Sequence, residues 1–398
     1  MNHQLKASEM LALQFILRME SLHGVPPSGG TSFNTNIPPE GGTPCGTNGT
    51  PTFRLKAELH AKAKTPCEGG TPYYYPPHFE YNSRVNMKLR DQFHQNHPGV
   101  FFLDADDLTG INHFLGLKGW LNTEERVISA GKAGEGNMNY TLRVATSERS
   151  FILKQARPWV EKYPQVSAPW DRAIVEGSFY LAISGNSFIS SRMPVLLGLD
   201  EVSRILMLED LGEAQDCTSL YRGERLTRDD IEELAAYLSH LHGAFINSAG
   251  KSDLSNREMR ELNHQHIFSI PLMQSNGLDL DAITPGLEKA AEDLKNNVAY
   301  VEKVASLGET YLADGPALLH GDFFPGSWLR TGKGLRVIDP EFCFFGPPEF
   351  DLGFFIAHLY LAEQPDGFAN LCLSHTRLTA RPTGSLSISL PEPRSCGD

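Results

Sequence analysis

Two acidic side chains in the last third of the chain stand in a pattern that suits phosphoryl transfer. Asp322 lies in a His-Gly-Asp turn, and a short oxygen side chain, Ser327, follows five residues later. A hydrophobic strand then ends at a second acid, Asp339, and Glu341 lies two residues further on. In kinase-type chemistry one acid orients the hydroxyl that is phosphorylated, and a later acid holds Mg²⁺. The order predicts Asp322 as the catalytic acid and Asp339 as a ligand of Mg²⁺, with Ser327 as a less direct or water-mediated ligand. Glu341 is predicted to bind the metal as well if the chain is extended there, and to be a surface acid otherwise.

A lysine and a glutamate upstream could hold the phosphates. Lys154 ends an apolar strand, and Glu176 lies on the helix predicted to follow it. In the kinase arrangement, a lysine at this position binds the α- and β-phosphates of ATP and is steadied by a helix glutamate. The alternative is that both are solvated surface charges, as most lysines and glutamates are.

The strand–turn–strand segment before the lysine contains residues that could admit a nucleotide. Gly134, Gly136 and Asn137 lie in the turn, where backbone amides could donate to phosphate oxygens. An ordinary hairpin turn is the alternative for this motif taken alone. Glu209 and Leu211 stand at the end of a later apolar strand, where backbone groups of a bilobal kinase would bind adenine.

These residues require a small sheet and a set of helices to bring them together. Apolar patterns and flanking turns predict strands over 127–130, 140–144, 151–154 and 204–210. Helical spacing and caps predict helices over 104–121, 170–184, 227–245, 283–307 and 351–361. The predicted fold class is α+β. It is a bilobal protein-kinase-like fold with a small antiparallel β-sheet N-lobe and a mainly helical C-lobe that is incomplete at its C-terminus.

Composition divides the chain of 398 residues into four segments. Residues 1–98 form a low-complexity Gly/Pro/Thr-rich extension, which is predicted to be disordered because it lacks an apolar period. Residues 99–211 are predicted to form the N-terminal lobe and hinge, and 212–366 the helical catalytic lobe. Residues 367–398 form a divergent or frame-shifted tail that is predicted to be disordered. The extension is interpreted as translated repetitive DNA or the result of a start codon assigned too early, with a functional extension as the alternative.

The net charge, the cysteine spacing and the hydropathy of the sequence narrow the class of function. A net charge of −13 disfavours a nucleic-acid binder, which needs a basic face. The six cysteines are scattered, which argues against a disulfide framework or a zinc site. No long apolar run or signal peptide is present, so we expect a cytoplasmic protein without a membrane partner. The expected partner is a small, sugar-like molecule with a hydroxyl group, and a homodimer is left open.

From roughly Asp104 to Ala362 the chain resembles the aminoglycoside phosphotransferase/choline kinase superfamily and, within it, the methylthioribose kinase family. The matching motifs are Gly134-Glu-Gly-Asn-Met-Asn-Tyr140, Leu153-Lys-Gln-Ala156, Asp171-Arg-Ala173 followed by Glu176, Met207-Leu-Glu-Asp-Leu211, His320-Gly-Asp322 with Gly326-Ser327, and Val337-Ile-Asp-Pro-Glu-Phe342. The resemblance implies a kinase-like fold, ATP with Mg²⁺, and transfer to a sugar hydroxyl. It also implies that Asp339 and Glu341 both reach the metal.

Four departures from that family bear on the acceptor and on activity. Three lie where a substrate would sit: residues 163–169, the Phe323-Phe324-Pro325 run, and the segment 256–266. The fourth is the tail after Ala362, which lacks the helices and the pair of arginines that hold the sugar in the family. Two alternatives therefore stay open: a phosphotransferase for an aminoglycoside, choline or homoserine, and a truncated, inactive kinase-like protein.

Overall fold

The computed structural model describes residues 31–32, 54–55, 83–134, 138–246, 248, 254–276, 280–283 and 285–377. They form two lobes, which we call the sheet lobe (83–209) and the helical lobe (212–377). Within this part of the chain, no helix has both the length and the apolar character needed to cross a membrane. The predicted fold class, a small antiparallel sheet followed by a larger helical lobe, is confirmed.

The strands of the sheet lobe follow one another closely along the chain. They are β3 (Val127–Lys132), β4 (Tyr140–Thr146), β5 (Ser150–Gln155), β6 (Trp159–Val160), β7 (Tyr163–Ser167), β8 (Leu196–Asp200) and β9 (Ile205–Glu209). Five of them form one antiparallel sheet in the order β3-β4-β5-β9-β8, and β6 pairs with β7. A separate pair, β1 (Thr31–Ser32) with β2 (Arg54–Leu55), precedes both lobes. The order places β5, which ends near Lys154, at the centre of the sheet.

One face of this sheet is covered by helix α2 (Leu108–Leu117), whose N-cap Asp107 accepts a hydrogen bond from Gly110 N. On β4, Tyr140, Leu142 and Val144 are buried toward that helix, while the intervening Arg143 is exposed. Burying a leucine or valine side chain contributes roughly 1.5–3 kcal/mol to folding. The alternation therefore fixes the register of the sheet and decides which β5 side chains face the other lobe.

The remaining helices and strands belong mostly to the helical lobe. The helices are α1 (Ser83–Asn96), α3 (Arg172–Ile183) and α4 (Ser187–Ser190) in the sheet lobe, then α5 (Arg228–Ala244), α6 (Arg257–His264), α7 (Leu280–Ile283), α8 (Leu287–Lys295), α9 (Val298–Leu312), α10 (Glu349–Leu361) and α11 (Gly367–Arg377). The strands are β10 (Gln215–Asp216), β11 (Ala317–Leu319), β12 (Trp328–Thr331), β13 (Gly334–Val337) and β14 (Phe344–Gly346). Strands β10, β12 and β13 form one sheet, and β11 pairs with β14.

Helix α5 is the central packing element of the helical lobe. Thr227 caps it in a reciprocal pair of hydrogen bonds with Asp230, as the sequence predicts. Its buried face, which includes Leu234 and Leu238, shares one core with Trp328 of β12 and Phe355 of α10. That core supports the segments between β11 and α10, which carry the acidic residues.

Two predictions of disorder are wrong where the structure describes the chain. Residues 83–96, inside the predicted extension, form α1, because Phe93 packs its ring against Phe102 at 5.2 Å and Trp170 at 5.8 Å. Residues 367–377, inside the predicted tail, form α11, and Cys372 joins the core around α5. The other domain boundaries stay predictions.

The segment 283–307, which is predicted to be helical, contains a break. The structure shows α8 and α9 separated at Asn296 and Asn297. Asn297 caps α9, since its side chain accepts a hydrogen bond from Tyr300 N. An asparagine side chain that bonds the backbone favours a helix start over a helix interior, which explains the break.

Candidate active site

Lys154 lies where the two lobes meet. Its ammonium Nζ is 2.8 Å from Glu176 Oε2 on α3 and 2.7 Å from Asp339 Oδ1 of the helical lobe. Lys154 and Glu176 are buried, whereas the Asp339 side chain is 46% exposed. The predicted lysine–glutamate pair is therefore present, and the solvated-charge alternative does not describe it. The Lys154 ammonium therefore contacts one buried acid, Glu176, and one half-exposed acid, Asp339.

The charges of this cluster depend on one another. Burial alone would lower the pKa of Lys154, but Asp339, Glu176 and Glu341 together raise it well above its usual value. Burial raises the pKa of Glu176 to about 7, although Lys154 acts to lower it. The lysine thus stays protonated at neutral pH, as a group that binds phosphates must.

Asp322 lies in a loop whose backbone is held by a buried acid. We call residues 320–327 the His-Gly-Asp loop. Asp351 of α10 accepts hydrogen bonds from His320 N at 2.8 Å and Gly321 N at 2.9 Å, and it also contacts His242 Nε2 at 2.9 Å. Asp351 is fully buried, so these bonds satisfy its charge. This acid fixes the backbone that carries Asp322.

His320 supports the same loop from the other side. Its Nδ1 accepts a hydrogen bond from Asp322 N at 3.3 Å, which leaves Nε2 to donate to Ile338 O at 2.9 Å. This arrangement is that of the neutral imidazole, and burial lowers the pKa of His320 in agreement with it. His320 therefore links the His-Gly-Asp loop to the residue before Asp339 and is not placed to shuttle protons.

Gly321 allows the loop to approach its neighbour closely. Its φ is +83°, a conformation that favours glycine, and an added Cβ would lie 2.0 Å from Phe342 O. Phe342 ends a one-turn 3₁₀ helix, Pro340–Phe342, that follows Asp339. We call residues 339–342 the acid turn. The His-Gly-Asp loop and the acid turn are thus in direct backbone contact.

The acid turn has an unusual backbone and partners from both lobes. Asp339 has a φ of +62°, which is uncommon for a residue other than glycine and is concentrated at functional sites. Glu341 Oε2 accepts a hydrogen bond from Asn139 Nδ2 of the sheet lobe at 2.8 Å. Asn256 Nδ2 donates to Glu341 O and to Cys343 O, at 2.9 Å each. Each lobe therefore contributes a hydrogen bond that holds Glu341.

The other predicted residues lie around this centre or outside the described chain. Ser327 is buried, and its hydroxyl donates to Asp322 O at 2.9 Å. Gly134 is exposed, and an added Cβ there would meet nothing within 4 Å. Gly136 and Asn137 lie outside the described residues.

The two hinge residues predicted to bind adenine stand at the end of β9. Glu209 N donates to Val195 O at 2.9 Å, and its carboxylate accepts from Val195 N at 3.2 Å. Leu211 is half-buried. The Glu209 N–H is thus already hydrogen-bonded within the sheet lobe. The adenine contact predicted for Glu209 and Leu211 stays a prediction.

The oxygen donors suit a magnesium ion that is shared with a ligand. Among the described residues, no three His, Cys, Asp or Glu side chains converge as a metal site by themselves. Mg²⁺ usually takes only one or two carboxylates and completes its shell with water and phosphate oxygens. The half-exposed Asp339, and Glu341, whose Oε2 accepts a hydrogen bond from Asn139, fit that requirement.

Sequence reasoning gave no role to three residues that arrange the site. They are Asn139, Arg172 and Asn256, and each is more than nine-tenths buried. Asn139 and Arg172 stand inside motifs that carry the family resemblance, which was the available signal. Asn256 stands in a segment with no counterpart in that family, and nothing in its sequence neighbourhood marks it.

Comparisons with known proteins agree with this geometry. A sequence model described as the phosphotransferase enzyme family matches residues 130–375. The methylthioribose kinase of Exiguobacterium sibiricum is 29% identical over 258 residues, which cover 60% of this chain and 62% of that protein. The methylthioribose kinase of Bacillus pumilus is 26% identical over 261 residues, 62% of this chain and 64% of that protein. The chain thus matches just over three fifths of the length of these relatives.

Two of the solved structures that match the chain are a choline kinase and an aminoglycoside phosphotransferase. The choline kinase LicA from Streptococcus pneumoniae has a TM-score of 0.40 and 17% identity, and the match covers 67% of this chain and 78% of that one. A streptomycin–ATP ternary complex of the aminoglycoside phosphotransferase APH(2'')-IIa has a TM-score of 0.34 and 17% identity, with 69% and 89% covered.

Proposed function

The chain belongs to the phosphotransferase enzyme family, and from this premise we propose that it is an ATP-dependent kinase of a small metabolite. The proposed reaction transfers the γ-phosphoryl group of ATP to a hydroxyl of the metabolite. The observation that carries the proposal is Lys154, whose ammonium bonds Glu176 of its own lobe and Asp339 of the other lobe. A buried, protonated amine beside an acid turn of the opposite lobe is an arrangement that suits phosphoryl transfer.

Different residues of the chain would bind the phosphates and orient the acceptor hydroxyl. Lys154, held by Glu176, would bind phosphate oxygens, and the backbone at Gly134, Gly136 and Asn137 would donate to them. Asp322 would orient the acceptor hydroxyl and take its proton as the oxygen attacks in line with the leaving group. Little covalent chemistry falls to the protein, so catalysis consists of positioning and charge stabilisation.

The acid turn would hold the cation. Asp339 and Glu341 would bind Mg²⁺, with Ser327 as a weaker or water-mediated ligand, and bound Mg²⁺ neutralises phosphate charge. Adenine would lie against the hinge at Glu209 and Leu211. These assignments rest on the order of residues in the family motifs and on the contacts that bring the acids and the lysine together.

The proposed acceptor is a sugar hydroxyl, with 5-methylthioribose as the first candidate. Support comes from the names of the curated relatives and from the shared motifs. Phe323 and Phe324 lie beside Asp322, and both are buried, so they shape the loop more than they contact a ligand. The acceptor side is therefore tested with a panel of compounds and not with methylthioribose alone.

The test is an acceptor panel with coupled detection of ADP. The panel contains 5-methylthioribose, ribose, choline, homoserine and an aminoglycoside, each with ATP and Mg²⁺. We expect ADP release with a sugar acceptor, and its loss in the Asp322→Asn variant.

Calorimetric titration of ATP with Mg²⁺ runs in parallel on both proteins, after a cooperative melt has shown that they are folded. Binding by both, with turnover only in the natural chain, is the expected result. A folded natural chain that binds no ATP–Mg²⁺ would overturn the proposal.

A further inference from the structure

We propose that Asn139 is a positioning residue that aligns the carboxylate of Glu341 for the metal. The inference rests on the proposed function and deepens it. Asn139 would touch neither substrate nor metal. It would act through the carboxylate of Glu341, which it bonds from the opposite lobe.

The contact is buried and joins distant parts of the chain. Asn139 Nδ2 lies 2.8 Å from Glu341 Oε2, across 202 positions of sequence. The exposed fractions of the two residues are 4% and 7%. A hydrogen bond from a neutral donor to a buried carboxylate is among the stronger ones, so this bond constrains the carboxylate firmly.

A neighbouring arginine decides which way the amide of Asn139 points. Arg172 Nε donates to Asn139 Oδ1 at 2.9 Å. Since a guanidinium only donates, the oxygen of Asn139 must face Arg172, and its NH₂ group must face Glu341. Arg172 also donates to Met138 O at 2.6 Å and to Arg157 O at 2.8 Å, which fixes the guanidinium in place.

The two ends of Glu341 are therefore held from different lobes. Asn256 Nδ2 bonds its carbonyl from the helical lobe, which fixes the backbone of the acid turn. Asn139 bonds Oε2 from the sheet lobe, which fixes the rotation of the side chain. Arg172 Nε also lies 3.6 Å from Oε2, so two residues of the sheet lobe contact this oxygen and Oε1 would be left for a cation. The backbone position of Glu341 thus does not depend on lobe closure, but the direction of its carboxylate does.

The test measures metal binding directly, without turnover. The affinity of Mn²⁺ for the protein–ADP complex is measured by electron paramagnetic resonance, and the affinity for ADP alone is measured by calorimetry. Asn139→Ala should weaken Mn²⁺ binding in the ADP complex by about tenfold or more, which matches the loss of one hydrogen bond to a charged group. Its affinity for metal-free ADP should stay as in the natural chain.

Asn263→Ala is the matched control. Asn263 is also a buried asparagine (2% exposed), and its amide donates one hydrogen bond, to Tyr311 Oη at 2.9 Å, away from the acid turn. It should lower the melting temperature as any lost buried hydrogen bond does, but leave Mn²⁺ affinity unchanged. Asn139→Ser is the second test variant, since a serine hydroxyl can still bond Arg172 but is too short to reach Glu341 as well.

The outcomes separate this inference from the proposed function. A natural chain that binds Mn²⁺ and ADP, with weaker Mn²⁺ binding in a folded Asn139 variant only, supports the positioning role. Equal Mn²⁺ affinity in the natural chain and in a folded Asn139→Ala or Asn139→Ser variant overturns it, while the proposed function stands. A folded natural chain that binds neither ADP nor Mn²⁺ overturns both.

Discussion

The His-Gly-Asp loop and the acid turn touch each other, yet they are held in place by different parts of the molecule. The first is fixed within the helical lobe, by Asp351 and by the His320 bond to Ile338 O. The second receives its side-chain partners mostly from the sheet lobe, Lys154 on Asp339 and Asn139 on Glu341. The His-Gly-Asp loop is therefore held by its own lobe, whereas the side chains of the acid turn are held mainly by residues of the opposite lobe.

The difference indicates which of the proposed catalytic steps depend on contact between the lobes. Asp322, which is proposed to orient the acceptor hydroxyl, should keep its place whether the lobes open or close, because the groups that hold its loop belong to the same lobe. The groups proposed to bind metal depend on the sheet lobe, which also carries the proposed phosphate site. Metal, nucleotide and lobe closure should therefore respond together, and the acceptor acid should be independent of them.

Asp322→Asn should have the largest effect on activity. Loss of a group that orients and deprotonates the acceptor should lower turnover by roughly 10²–10⁴-fold. ATP–Mg²⁺ affinity measured by calorimetry should hardly change, since the acid turn keeps its partners from the sheet lobe. Asp339→Asn is the contrasting variant and should lose metal-dependent nucleotide binding. If Asp322→Asn lost that binding as well, the two regions would not be independent.

Gly321→Ala should disrupt both the His-Gly-Asp loop and the acid turn. The new Cβ would lie 2.0 Å from Phe342 O, on a residue with φ of +83°. We expect a loss of about 4 kcal/mol or more in the free energy of unfolding, measured by urea denaturation. Gly353→Ala is the control, because a Cβ there meets nothing within 4 Å in helix α10. It should be neutral or stabilise by roughly 0.5–1 kcal/mol. Similar stabilities of the two variants would contradict the close approach.

Asp351→Asn should damage the His-Gly-Asp loop selectively. An amide cannot accept from both His320 N and Gly321 N as the carboxylate does. The expected cost is about 3 kcal/mol in the free energy of unfolding, with a lower kcat. Asp366→Asn, an exposed acid beyond α10, should change stability by less than about 0.5 kcal/mol. A folded Asp351→Asn variant with weaker ATP–Mg²⁺ binding but normal kcat would show that Asp351 supports the acid turn and not the His-Gly-Asp loop.

His320 gives the smallest effect, a dependence of stability on pH. Burial lowers the pKa of His320 below its ordinary value of 6.5, so the unfolded chain binds a proton more readily than the folded one. Stability from this residue is complete above the unfolded pKa and is lost as the pH falls below about 6.5. The natural chain should lose about 1 kcal/mol more than His320→Gln between pH 7.5 and 5.5, measured by urea denaturation. Parallel pH profiles would show that His320 is not held neutral.

Local patterns predicted a good part of this molecule. The capping pair of Thr227 and Asp230 and the alternation on β4 define their elements without help from the rest of the chain. The lysine–glutamate pair was predictable because a strand followed by a helix brings Lys154 and Glu176 to one place.

The remaining features depend on partners far away in sequence. Phe93 gives α1 its place only because Phe102 and Trp170 fold against it. Asn139 and Asn256 acquire their roles from Glu341, which lies 202 and 85 positions away. A buried polar side chain is defined by the group that it satisfies, and that group is not visible in the neighbouring sequence.

A crystal structure with a non-hydrolysable ATP analogue and Mn²⁺ tests the central claim most directly, because anomalous scattering locates the metal. The claim predicts one Mn²⁺ bound by Asp339 and by Oε1 of Glu341, with phosphates on Lys154 and with Asn139 still on Oε2. An ordered nucleotide whose Mn²⁺ lies away from both acids, or whose phosphates lie away from Lys154, would contradict it.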